Sequence, residues 1–140
     1  MFVRELTKRK YRGKKQTEIK GPEDAYQLVR PGLVALDREH FQIMMLSARN
    51  TVIGIETVSV GSLNASIVHP REVFKPAIEN SAASLILIHN HPSGNPEPSD
   101  DDLALTRRLV QVGDLVGITI VDHLVVGGSS FVSLKQQGYL

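Results

Sequence analysis

The stretch SLILIHNHP, Ser84 to Pro92, constrains the fold more than any other part of the chain. Leu85 to Ile88 form an unbroken apolar run, without the alternation of a strand that has one face in water. Such a strand must be covered on both sides, so the sheet that holds it needs helices above and below. Pro92 has no N–H to donate and ends the strand. A packed core gains nothing from the two histidines and the run of acids, Asp100 to Asp102, that follow at this point.

The rest of the chain supplies the covering layers. In GPEDAYQLVRPG, Pro22 suits the first helical position, Glu23 and Asp24 favour the positive end, and Pro31-Gly32 predicts the stop. HFQIMMLS and VIGIETVSVG read as paired strands with ARNT as their turn. PREVFKPAIENSAA reads as a second helix from Pro70, with Val73, Phe74, Ala77 and Ile78 on its apolar face. Pro76 inside that pattern predicts a kink or a late start. A third helix runs from about Asp100 towards Gly113, and ITIVDHLVVGG and SSFVSLK close the chain as extended segments. The expected architecture is α/β: a single three-layer domain whose mixed sheet is covered by helices.

Length and composition narrow the class. The chain has 140 residues, enough for one domain with a real core, and its 41% hydrophobic and 22% charged content is that of a soluble globular protein. No apolar run reaches the length of a membrane span and no secretory signal is evident, which makes the cytoplasm the expected location. There is no cysteine, so a metal can be held only by nitrogen and oxygen, which suits zinc and also iron, manganese or cobalt. Residues 1 to 15 carry seven Lys or Arg against one Glu, whereas the other 125 carry nine basic and fourteen acidic residues. The organisation expected is a basic arm, residues 1–20, followed by an acidic body, residues 21–140. The arm offers a contact for nucleic acid through counterion release.

Side chains alternate along a strand, so His89 and His91 project to one side while Asn90 points away. Two imidazoles at i and i+2 can share one ion. Asp102, Leu105, Leu109 and Val112 follow at helical spacing, so the third helix turns Asp102 inward with its apolar face. A carboxylate there needs a positive partner, and a metal held by the histidines provides one. Ser99 occupies the N-cap position, and its hydroxyl proton remains available for another acceptor.

HNHPSGNPEPSDDD resembles the JAMM (MPN-type) metallopeptidase signature H-x-H-P…S-x-x-D. More narrowly, HPREVFKPAIENSAASLILIHNHPSGNPEPSDDD with VDHLVVGG resembles the RadC-type bacterial proteins, a likeness that extends from about Gly21 to the C-terminus. The resemblance implies a cytidine-deaminase-like fold, zinc on His89, His91 and Asp102, and Ser99 as a hydrogen-bond donor to the reacting carbonyl. It also places a glutamate at the start of an early strand, here Glu39. Proteins of the RadC type commonly carry an N-terminal helix-hairpin-helix region; ahead of residue 21 this sequence has the basic arm.

Three protein ligands with an open position are the pattern of a catalytic zinc, which acidifies water and polarises a carbonyl. With Glu39 moving the proton and Ser99 facing the oxyanion, the chemistry expected is hydrolysis of an amide, peptide or isopeptide bond. Glu56, within VIGIETVSV, competes with Glu39 for the role of base. His123, on the face of Val121 and Val125, reads as a core histidine, and Asp122 points the other way. Two further functions fit the sequence: a non-catalytic metal-binding accessory module in DNA repair or DNA metabolism, and a protein-interaction domain on the same fold. The exposed strands of a small sheet also make a homo-oligomer an expectation.

Overall fold

The computed structural model describes residues 17–61 and 68–140. Residues 1–16 of the basic arm lie outside that range. The described residues form α1 (Pro22–Leu33), β1 (His40–Leu46), β2 (Val52–Val60), α2 (Pro70–Glu79), β3 (Ser84–Asn90), α3 (Asp100–Val116), β4 (Thr119–Gly127) and β5 (Ser130–Ser133). The five strands make one mixed sheet in the order β2-β1-β3-β4-β5. β3 lies at its centre, antiparallel to β1 and parallel to β4.

All seven residues of β3 are buried, the outcome required by its unbroken apolar run. Leu85 and Leu87 pack with Phe41 and Ile43 against Val73, Phe74, Leu105 and Leu109 of α2 and α3. Ile86 and Ile88 join Met44, Leu124 and Val126 on the other face, under Ala25, Val29 and Leu33 of α1. The result is three layers, with α1 on one side of the sheet and α2 and α3 on the other. Before α1, Ile19 is buried and its N–H reaches the carbonyl of Asn50 at 2.8 Å. The last residues of the arm therefore belong to the body.

Several boundaries differ from the sequence expectation. α1 does not stop at Pro31-Gly32 but carries Pro31 inside it and continues to Leu33, whose burial at 3% exposure holds the last turn against the sheet. α2 starts at Pro70 and not late, with Pro76 accommodated as one of its buried residues. Ile78, expected on the apolar face, is 61% exposed. α3 passes Gly113 and ends at Gly117, whose φ of 79° is the left-handed conformation of a helix C-terminus. Gly113 serves a close approach instead: a Cβ there would stand 2.4 Å from the carbonyl oxygen of Ile118.

The register of β4 shifts between Ile120 and Asp122 where it pairs with Leu85 and Ile86. This bulge moves Val121 to the α1 side, against the cluster of Ile86 and Leu124. His123 consequently does not share a face with Val121. Among the described residues no helix is long and apolar enough to cross a membrane.

Candidate metal centre

The end of β3 delivers the first histidine. His89 is 1% exposed and pairs with Phe41 at the start of β1. That register brings Glu39, two residues earlier, to the same corner, with its Oε1 3.9 Å from His89 Nε2. The regular strand ends at Asn90, so His91 lies one residue beyond it. Its N–H still bonds the carbonyl of Val126 at 2.7 Å, which carries the line of the sheet through the histidine pair.

The N-terminus of α3 delivers the acid. Ser99 and Asp102 form a capping box, in which the Asp102 N–H donates to Ser99 Oγ at 3.1 Å and the Ser99 N–H donates to Asp102 Oδ2 at 2.7 Å. Asp102 is buried beside Leu105 and Leu109, as the helical spacing predicts, while Asp100 and Asp101 are exposed. Its carboxylate lies between the rings: Oδ1 is 3.0 Å from His89 Nδ1 and Oδ2 is 3.2 Å from His91 Nε2. Burial by itself would raise the Asp102 pKa. Hydrogen bonds with His89, His91 and the Ser99 N–H outweigh it and hold the group well below the usual carboxylate range. The hydrogen bond to Asp102 raises the pKa of His91 against the opposing effect of its burial, with help from the Asn95 carbonyl.

Glu39, His89 and His91 each offer one ligand atom within 4.8 Å of the others, a cluster that can hold a metal ion. Asp102 is not in that cluster: it faces Nδ1 of His89, whereas Glu39 faces Nε2 of the same ring. Glu56 is elsewhere: it lies on β2, the edge strand, where it pairs with Ile43 of β1 and lines a groove with Arg71, Glu72 and Lys75.

Two supporting features were not legible in the sequence. His91 Nδ1 lies 2.9 Å from the carbonyl oxygen of Asn95, in a loop that packs against Gly127 at the end of β4. A Cβ on Gly127 would stand 2.6 Å from Pro96 N and 2.7 Å from Gly94 O, so only glycine lets the loop sit there. The Gly127-Gly128 pair was the available signal, but it reads equally as a hairpin turn. Behind the centre, Thr106 Oγ1 donates to the Asp102 carbonyl at 2.6 Å and also lies 2.6 Å from Nδ1 of buried His123. Asp122, on the opposite face, accepts from the Ser133 hydroxyl at 2.6 Å and takes no part in the cluster.

Residues 19–139 match the family model for the RadC-like JAB domain. The chain belongs to the RadC-like JAB-domain family. It is 55% identical over 122 residues to the UPF0758 protein YsxA of Bacillus subtilis, a match covering 87% of this chain and 53% of that protein. It is 52% identical over 122 residues to a UPF0758 protein of Desulforamulus reducens, covering 87% of this chain and 54% of the relative. The RadC-like chain thus spans about half the length of the curated relatives it matches. Its five-stranded mixed sheet with three helices among the described residues is consistent with a JAB domain.

Proposed function

We propose that this RadC-like domain is a zinc-dependent hydrolase of an amide bond, peptide or isopeptide, in which His89, His91 and Asp102 hold the metal and Glu39 is the base. The observation that carries the reading is a mismatch of donors. The Asn95 carbonyl can only accept, so His91 Nδ1 carries a proton towards it. A neutral imidazole has no second N–H, yet its Nε2 faces the Asp102 carboxylate at 3.2 Å. Either a second proton or a cation must fill that position. The same logic holds at His89: carboxylate oxygens face both of its ring nitrogens, Asp102 Oδ1 at 3.0 Å from Nδ1 and Glu39 Oε1 at 3.9 Å from Nε2, and a neutral imidazole has one N–H for the two.

The donor set suits zinc. Nitrogen and oxygen ligands bond zinc at about 2.0–2.2 Å, which separates tetrahedral ligand atoms by roughly 3.3 Å. The 3.2 Å between His91 Nε2 and Asp102 Oδ2 agrees with such an edge. A zinc ion bound there supplies Lewis acidity, which acidifies water and polarises a carbonyl. Glu39, with 28% of its side chain exposed, is open to both water and substrate and holds the proton for transfer to the leaving amine. Ser99 keeps its cap by accepting from Asp102, so its hydroxyl proton is available to a developing oxyanion.

A second reading exchanges the carboxylates. Glu39 becomes a ligand with the two histidines, and Asp102 orients His89 by accepting its Nδ1–H, an arrangement supported by the proximity of Glu39 to both rings. Burial favours Asp102 as ligand, because an ionised carboxylate at 1% exposure needs a compensating cation more than a partly exposed one does. Elemental analysis of the purified protein, followed by turnover of amide substrates by wild type and Glu39→Gln, tests the proposal. The expected result is one equivalent of zinc and cleavage lost in the variant. Zinc with no cleavage across a diverse peptide set would favour a non-catalytic role, as an accessory module in DNA metabolism or as a protein-interaction domain.

A further inference from the structure

Asn90 stands between the two histidines in sequence and points away from them, and its side-chain amide is buried at 3% exposure. Its Oδ1 accepts the backbone N–H of His40 at 2.6 Å. Its Nδ2 donates to the backbone carbonyl of Arg38 at 2.9 Å. These two backbone groups flank Glu39. One amide therefore grips the chain on either side of the proposed base, and the orientation of the amide is unambiguous because one partner only donates and the other only accepts.

The contact occurs where the main-chain ladder runs out. The pairing of β1 with β3 ends at Phe41 and His89, so backbone hydrogen bonds between the strands no longer locate residues 38–40. The Asn90 side chain continues the pairing by one step. On the other side, the Glu39 carbonyl accepts the N–H of Gly61 at 2.8 Å. The segment is thus held from β3 through a side chain and from the end of β2 through the backbone.

We infer that Asn90 is a positioning residue that holds Glu39 against the His89–His91 pair. The inference rests on the reading of Glu39 given above. It explains why an amide occupies this position: aspartate offers no donor for Arg38, while serine has one short hydroxyl for two partners. The residue couples metal site to base, since any displacement of β3 that moves the histidines moves residues 38–40 with them.

The test compares Asn90→Ala, Asn90→Asp, Glu39→Gln and the double variant Asn90→Ala/Glu39→Gln in the full chain. Backbone amide exchange followed by NMR reads the anchoring directly. Asn90→Ala should speed exchange at His40 by at least about tenfold while Met44 and Ile86, in the middle of their strands, stay protected. Asn90→Asp, which retains the acceptor and is nearly isosteric, should leave His40 protected. Calorimetric titration with Zn2+ then reads the coupling. Glu39→Gln and Asn90→Ala should each weaken binding on the order of tenfold, and the double variant should be no weaker than Glu39→Gln alone. Unchanged exchange at His40 in Asn90→Ala would overturn the inference, as would losses of affinity that add in the double variant. A wild type that takes up no Zn2+ defeats the metal reading instead, and His40 exchange alone then decides whether Asn90 anchors the segment.

Discussion

Thr106 Oγ1 lies 2.6 Å from Nδ1 of His123, two strictly buried side chains behind the histidine cluster. The Thr106 proton goes to the Asp102 carbonyl, so His123 must be the donor in this pair and its Nδ1 carries the hydrogen. Burial, reinforced by nearby His89, lowers the His123 pKa to about 3. The ring is neutral in the folded protein at any ordinary pH.

A pH dependence of stability follows from this ring. Below 6.5 the unfolded chain protonates His123 while the folded chain does not until pH falls to about 3, so stability decreases as pH falls through that window. The limiting slope is about 1.4 kcal/mol per pH unit. Between pH 6.5 and about pH 4.5, urea unfolding of metal-free protein should show wild type losing about 2 kcal/mol more stability than His123→Gln, a comparison in which the raised pKa of His91, which acts in the opposite sense, cancels. A pH dependence identical in the variant would assign the acid sensitivity to other groups.

The two carboxylates at the centre are separable by metal binding. Asp102→Asn should abolish stoichiometric zinc uptake, because it removes a charge from between the rings. Glu39→Gln should keep one equivalent with a Kd raised about tenfold. Atomic absorption after dialysis, with calorimetry for the Kd, measures both; the opposite ranking would make Glu39 the ligand.

Ser99 has two roles that different substitutions divide. Ser99→Ala should cost about 1 kcal/mol of stability through loss of the cap. It should also lower amide turnover by roughly a hundredfold or more if the hydroxyl meets the oxyanion. Ser99→Thr should recover the stability. Thermal unfolding and steady-state turnover, with zinc content verified in each variant, distinguish the two effects.

Gly127→Ala should disturb the centre from a distance. The new Cβ would meet only backbone atoms, at 2.6 Å from Pro96 N, 2.7 Å from Gly94 O and 2.8 Å from Asn95 C, so the loop itself must move. The Asn95 carbonyl then leaves His91 Nδ1. A cost of about 1–3 kcal/mol is expected from such overpacking, together with weaker zinc binding. Gly32→Ala, at another glycine without a positive φ but with open space around its Cβ, serves as the comparison.

Local order along the chain determined much of this protein. The apolar run of β3 required two covering layers, the i and i+2 spacing put His89 and His91 on one side, and the helical spacing from Asp102 to Leu109 turned that carboxylate inward. Each of these follows from neighbours a few residues apart, whose relative direction the backbone period dictates. Ser99 could be placed at the N-cap for the same reason.

Only the tertiary structure decided the rest. Glu39 reaches His89 because Phe41 pairs with His89, whereas Glu56, equally plausible by composition, falls on the edge strand in a separate groove. The bulge at Val121 changed the companions of His123, and the seating of the 92–98 loop on Gly127 aimed the ring of His91. Strand register, bulges and loop packing are settled by the burial of many distant side chains together, so no short stretch of the chain encodes them.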